Sequence, residues 1–326
     1  MTDFIDKNIA LAPKSDAPLV AILLCTYNGA RFLAEQLDSL EAQTHQNWMV
    51  IASDDGSTDQ TLEILQQYQA KWPSGKLTIR RGPEKGFSLN FLSLACDPEI
   101  NADYYAFCDQ DDVWLPEKLE IAVGNIIENQ EYRGEKLPYL YCGRTAYISS
   151  DKKKPLGFSP LFGFPPSFRN ALIQSIAGGN TMVFNQIVKG MLERVGLVDV
   201  PSHDWWVYQL TSAADGVVYY DKVPKIHYRQ HSEALIGGNG TIFARFKRLK
   251  MLLKGRFFHW TNQNLIALNR AKGEISKSNF EILSLFVTLR GAKLKDRFRL
   301  LEVCGLYRQT WGGTISLALA ALLNKL

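Results

Sequence analysis

The sequence predicts an α/β chain: a mainly parallel sheet with helices on both faces, followed by a helical C-terminal extension. Three observations carry this. Short apolar runs ending in polar turns alternate with helical spacings through the first 130 residues; no internal repeat or low-complexity segment interrupts them; and beyond residue 241 the pattern turns helical and basic. At 326 residues and 46% hydrophobic content the chain can bury one large domain with an annex, and disorder of the whole chain is excluded. The expected organisation is an N-terminal extension over 1–17, a catalytic-type α/β domain over 18–240 and a basic helical region over 241–326.

Residues 19–25, L-V-A-I-L-L-C, form a continuous apolar run that stops at Thr26-Tyr27-Asn28-Gly29, as in a strand buried on both faces. Phe32, Leu33, Leu37 and Leu40 follow at helical spacing. Trp48 to Ala52 reads as a second strand, closed by the turn Ser53-Asp54-Asp55-Gly56. Ser57 followed by Gln60 resembles a capping box, opening a helix with Leu62, Leu65 and Tyr68 on one face. Leu77 to Arg80 suggests a third strand, 87–95 a helix, and Tyr104 to Cys108 a fourth strand running into Asp109-Gln110-Asp111-Asp112. Pro116 suits the first turn of a helix over 117–130. In a parallel sheet the polar groups at the strand C-terminal ends line one crevice.

From 139 to 240 the pattern is less regular, with strand-like Tyr139 to Cys142, a Pro/Phe-rich loop at 155–168 and an apolar stretch from Thr181 to Phe184. Farther on, Phe280, Leu283, Phe286 and Val287, then Leu294, Phe298 and Leu301, mark two amphipathic stretches. The five cysteines are scattered without a C-x-x-C pair, which reads as a reduced cytoplasmic chain. Met1 to Pro18 lacks the basic start and apolar core of a signal peptide, and no apolar run reaches the roughly 18 residues of a membrane span.

The net charge of +4 conceals an asymmetry: residues 1–240 carry −8 and 241–326 carry +12. Arg245, Lys247, Arg248, Lys250, Lys254 and Arg256 interleave with Phe243, Phe246, Leu249, Met251, Phe257, Phe258 and Trp260, a pattern that suits a helix resting on an anionic membrane surface. A solvated charged face is the plainer reading of the same run. No nucleic-acid partner is expected.

Chemistry concentrates at the strand ends. Three carboxylates within four residues, Asp109, Asp111 and Asp112, repel one another unless a cation sits among them, and hard oxygen ligands suit magnesium or manganese bridging a diphosphate. Read alone, the run is equally a solvated acidic turn. Asp54-Asp55-Gly56-Ser57 offers a carboxylate that could accept the N3–H of a uracil or thymine ring, or simply turn and cap chemistry.

Together, L-L-C-T-Y-N-G, S-D-D-G-S-T-D, F-C-D-Q-D-D-V-W and the later H-D-W-W resemble glycosyltransferase family 2, particularly its rhamnosyltransferase-like branch, over residues 18–240. The resemblance implies a GT-A fold with a Rossmann-like sheet, a nucleotide-sugar donor, a divalent metal (Mg or Mn), and a glycan or lipid-linked acceptor on the cytoplasmic face of a membrane. It places Thr26, Tyr27, Asn28, Asp54 and Asp55 on the nucleotide, with Asp55 on the base. Asp109, Asp111 and Asp112 fall on the ribose and the diphosphate's metal. Gly86 and Asn90 match the segment closing over the donor, with Ser88 capping a helix, and Gly179 and Asn180 match the loop approached by donor sugar and acceptor.

Asp204, in His203-Asp204-Trp205-Trp206, falls at the position of the catalytic base, although the preceding residue is His where the family usually has Glu. His231, in Tyr228-Arg229-Gln230-His231-Ser232, matches the histidine completing the metal site, with His227 as competitor. Arg229 is implied near the diphosphate, and 236–240 as a flap.

Two other readings compete. A sugar-phosphate nucleotidyltransferase shares the sheet and the metal chemistry but has a glycine- and basic-rich loop after the first strand, of which T-Y-N-G-A-R-F is a poor version. A non-catalytic nucleotide-sugar-binding scaffold would have lost a key carboxylate, and none is missing. No G-x-G-x-x-G follows the first strand, which disfavours a nicotinamide-dependent oxidoreductase.

Overall fold

Strand and helix alternate from Val20 onward in a computed structural model that describes residues 17–151, 154–230 and 256–323. The opening run is β1 (Val20–Thr26), α1 (Leu33–Glu41), β2 (Trp48–Asp54), α2 (Thr61–Lys71), β3 (Leu77–Arg81), α3 (Phe87–Ala95) and β4 (Tyr104–Cys108). There follow β5 (Val113–Trp114), α4 (Lys118–Arg133), β6 (Tyr139–Gly143), β7 (Ala146–Ser149), β8 (Pro155–Phe158) and α5 (Phe168–Ala171). The chain continues through β9 (Val183–Asn185), α6 (Gln186–Val195), α7 (His203–Ala213), β10 (Val217–Asp221) and β11 (Ile226–Gln230). The C-terminal helices are α8 (Arg256–Arg270), α9 (Lys277–Gly291), α10 (Leu294–Cys304) and α11 (Trp311–Leu322).

The main sheet has the order β10-β6-β9-β4-β1-β2-β3, parallel except for β9, which runs antiparallel to both neighbours. Successive strands build outward from β1 to β3, then β4 returns to the other side of β1, so the strand order reverses there. Reversal leaves a crevice at the carboxyl ends of β1 and β4. Register levels those ends: Thr26 lies beside Asp54, and Leu24 beside Cys108. The polar segments after β1, β2 and β4 therefore emerge on one edge.

Period-two alternation in β1 divides the core between the two faces of the sheet. Ala21, Leu23 and Cys25 join the cluster beneath α3, α6 and α7, whereas Val20, Ile22 and Leu24 join the one beneath α1, α2 and α4. The first cluster also takes in Ala267, Leu268, Phe286, Leu289, Cys304, Leu317 and Ala320, so α8 to α11 share the core of the α/β layer.

Several local expectations fail for identifiable reasons. Ser57 caps no helix: α2 starts at Thr61 with Gln60 before it and no side-chain cap, because Ser57 Oγ is engaged with Asp54 (2.6 Å) and the Asn28 N–H (2.8 Å). Ser88 caps none either, since Gly86, at φ 89°, precedes α3 and the Ser88 hydroxyl donates to the Val200 carbonyl. The 155–168 loop contains β8, the edge of a second sheet ordered β5-β11-β7-β8. The second amphipathic stretch is helical, as α10, with Leu294 and Phe298 more than half exposed.

Candidate active site

At the carboxyl edge the three strand ends are tied by side chains to backbone. The Gln110 amide clamps Tyr27 from both sides, accepting from its N–H at 2.8 Å and donating to its carbonyl at 3.0 Å. The Tyr27 side chain is left mostly exposed above the edge. Asn28, at φ 48°, accepts from the Thr58 N–H at 2.8 Å. Asp54 holds the turn after β2: its carboxylate accepts from the hydroxyls of Thr26 (2.7 Å) and Ser57 and from the Ser57 N–H (2.8 Å).

Asp55 reaches the next segment, accepting from the N–H groups of Glu84 (2.6 Å) and Gly86 (2.9 Å). Each of its oxygens retains a second lone pair. Asn90 is buried and bridges α3 to β2, with Nδ2 donating to the Ser53 carbonyl at 3.0 Å. Thr26, Tyr27, Asn28, Asp54, Asp55, Gly86 and Asn90 are thus one continuous web. Several of these groups are spent holding loops rather than facing open space.

The acidic run divides. Asp112 is fully buried; its carboxylate accepts from Asn180 Nδ2 and from the Arg229 N–H at 3.2 Å. Burial and the neighbouring carboxylates of Asp111 and Asp109 hold its carboxyl well above the usual range. Asp109 remains half-buried, its carboxyl pushed up to about 8 by burial and by the charges of Asp111 and Asp204. The last influence, the smallest of the three, comes from a residue at the start of α7, 95 positions later in the chain.

Asp204 sits in the first turn of α7, after Ser202. Its Oδ1 accepts from the Ser202 hydroxyl and from the Trp205 N–H at 2.6 Å, which fixes the carboxylate's orientation. Burial raises its pKa, opposed by those hydrogen bonds and one from the Gly179 backbone. His203 beside it is buried, stacked on Phe91 at 4.0 Å and edge-on to Phe107 at 4.7 Å. Neither ring nitrogen has a hydrogen-bond partner, and burial lowers its pKa to about 3, so the ring is neutral. A Cβ at Gly179 would lie 2.2 Å from His203 Nε2; only glycine lets this loop close on α7. Trp205 and Trp206 are buried, the first donating to the Ala171 carbonyl at 2.6 Å, and therefore pack rather than face a sugar.

Arg229 differs from its expected position over a diphosphate. The side chain is 1% exposed; Nη2 pairs with Glu35 at 2.6 Å, Nε donates to the Asp111 carbonyl at 2.9 Å, and Nη1 donates to the Ser150 carbonyl at 2.5 Å. Its charge is consumed beneath the acidic run, where it fixes the path of Asp111. His227 lies on β11, and His231, the 236–240 flap and residues 245–254 lie outside the described residues. Among the described residues no three His, Cys, Asp or Glu side chains are arranged to hold one metal ion. Gln110, Glu35 and the neutral His203 are the participants that sequence reasoning missed; for Gln110 the only signal was its place inside the acidic run.

Residues 21–147 match the family model for Glycosyl transferase family 2, the span that holds the strand-end web and the acidic run. The chain is 28% identical over 235 residues to the dTDP-rhamnosyl transferase RfbG of Shigella flexneri, covering 70% of this chain and 78% of that one. Residues 21–147 therefore carry a family 2 glycosyltransferase domain. The chain is also 25% identical over 263 residues to the uncharacterized glycosyltransferase RT0329 of Rickettsia typhi, covering 77% of this chain and 76% of the relative. Its fold is GT-A, like that of S. aureus TarS 1-349 in complex with UDP-GlcNAc, with a TM-score of 0.50 and 16% identity over 87% of this chain and 80% of the TarS chain.

Proposed function

We propose that the enzyme is an inverting, metal-dependent transferase moving L-rhamnose from dTDP-rhamnose to a lipid-linked or polysaccharide acceptor during bacterial surface-polysaccharide assembly. The observation that carries the mechanism is the placement of the Asp109–Asp112 run after β4 and of Asp204 in the first turn of α7, near enough that, after burial and Asp111, the Asp204 charge helps raise the Asp109 carboxyl. The donor assignment is supported by the name of the Shigella relative.

The donor lies over the carboxyl edge with its base near Tyr27 and Asp55, its ribose near Asp109 and its diphosphate at the acidic run. Asp109 and Asp111 would hold a Mg or Mn ion together with donor phosphate oxygens, with Asp112 and Asn180 bracing the turn beneath them. The site's surplus negative charge fits such a cation, and two carboxylates plus donor phosphate oxygens form a usual magnesium set. When bound, the ion stabilises charge on the departing diphosphate. From its place in the sequence, His231 would be a further ligand. Asp204 takes the proton of the acceptor hydroxyl as that oxygen bonds to the anomeric carbon and the bond to the diphosphate breaks on the opposite face. Burial, by raising its pKa, makes Asp204 a stronger base than an exposed carboxylate. The enzyme works at the cytoplasmic membrane face, where a lipid-linked acceptor would be met.

Release of nucleoside diphosphate from a panel of dTDP- and UDP-sugars, with Mn or Mg, tests this. Turnover of dTDP-rhamnose that is lost in Asp204→Asn and Asp111→Ala supports the reading. Preferred turnover of a UDP-sugar, or full activity of Asp204→Asn, refutes it.

A further inference from the structure

α11 has the sequence W-G-G-T-I-S-L-A-L-A-A-L, without a charged residue. One side, Leu317, Ala320 and Ala321, packs into the core. On the other, Trp311 is 78% exposed and Ile315 and Leu319 more than half, at i, i+4 and i+8. A helix apolar all round belongs against another surface on both sides. At 12 residues it is about 18 Å long, too short to span the roughly 30 Å of a bilayer core. Nor does any helix of the described residues cross a membrane.

This stripe does not stand alone. The Trp311 ring meets Phe164 at 6.1 Å, and Gln309 holds Phe164 through both its N–H and its carbonyl. Phe164 ends the segment containing Leu156, Phe158 and Leu161, each more than half exposed. The edge strand of the catalytic layer and the last helix therefore present apolar surface joined at Phe164.

Basic groups border it. Arg144 lies over the Phe158 ring at 4.9 Å, exposed Lys154 precedes β8, and Arg297 reaches the Leu322 carbonyl at the far end of α11. Residues 241–326 carry +12. Two copies meeting face to face would oppose like charges; anionic lipid headgroups would neutralise them.

We propose that the enzyme docks on an anionic lipid surface through the outer face of α11 and the Leu156–Leu161 segment, rather than through residues 245–256. The inference rests on the membrane contact proposed above and relocates it. Trp311 sits at the headgroup level, Ile315 and Leu319 enter the acyl boundary, and the β8 edge is brought to the same surface as a lipid-linked acceptor.

Co-sedimentation of the full chain with phosphatidylcholine vesicles, with and without phosphatidylglycerol, tests it. Wild type should bind the anionic vesicles. Trp311→Glu/Ile315→Glu, and separately Leu156→Glu/Phe158→Glu, should lower partitioning roughly tenfold or more, with unchanged circular dichroism because these positions are exposed. Undiminished binding by both pairs, with loss in Arg245→Ala/Lys247→Ala/Arg248→Ala, would overturn this surface and keep the membrane contact. Failure of the wild type to bind either vesicle would remove both. Light scattering that shows dimers made monomeric by the Trp311 pair, with lipid binding intact, would assign the face to a second copy instead.

Discussion

Replacing Gly179 with alanine tests how Asp204, the proposed base, is positioned. The new methyl would lie 2.2 Å from His203 Nε2, 3.0 Å from Cε1 and 3.2 Å from Cδ2, whereas ordinary contact begins near 3.4 Å. Something must move by about 1 Å. The imidazole cannot retreat, because Phe91 stacks on it at 4.0 Å and Phe107 closes its edge at 4.7 Å. The Gly179 loop or the first turn of α7 yields instead, and Asp204 shifts with it. Overpacking of this kind costs about 1–3 kcal/mol of stability, and a displacement of that size at a reacting group costs roughly a hundredfold in rate.

Scanning calorimetry should give a Tm a few degrees lower, and diphosphate release should show the loss in kcat more than in donor KM. Gly124→Ala in α4, where nothing lies within 4 Å of the added methyl, is the control and should gain about 0.5–1 kcal/mol. In a His203→Ala background the Gly179→Ala penalty should largely vanish, since the two atoms no longer collide. Wild-type kcat and Tm in Gly179→Ala, or an equal penalty in both backgrounds, would refute the positioning argument.

Three further outcomes follow from the same geometry. Gln110→Ala frees both backbone groups of Tyr27; donor KM should rise about tenfold with kcat little changed, and an unchanged KM would dismiss the clamp. Arg229→Met should cost about 3 kcal/mol in urea unfolding, less if solvent at the half-exposed Glu35 screens the pair; a large rise in donor KM at unaltered stability would instead return Arg229 to the diphosphate. Without metal, the Asp109 carboxyl holds its proton below about pH 8, so an incoming ion must displace it. Metal affinity should therefore climb as pH rises toward 8 and level off above; calorimetry at pH 7 in buffers of different ionisation heat should find proton release on metal binding, and none would contradict the raised pKa.

Strand placement was legible because burial on both faces leaves a simple mark: L-V-A-I-L-L-C and Y-Y-A-F-C are uninterrupted apolar runs, and both strands lie where the sequence puts them to within one residue. Helix starts were less legible. Ser57 and Ser88 have the chemistry of caps, but the helices start elsewhere: Gln60 precedes α2, and Gly86 precedes α3 with Ser88 already inside it, while the serine hydroxyls donate to Asp54 and the Val200 carbonyl. The exposed Leu294 and Phe298 obey helical periodicity as well as any core stripe does, since spacing defines a face without defining what covers it.

The candidate site divides along the same line. By itself the sequence determined which carboxylates exist, their strand-end placement and the family they resemble, because these depend on local spacing and on side-chain identity. Only the tertiary structure decided which of them lie close together. It turned Asp112 inward to Asn180, diverted the Arg229 charge to Glu35, and brought Asp204 to Asp109 across 95 residues. Electrostatic influence and desolvation depend on distance through space and on what excludes water, and neither quantity is written along the chain.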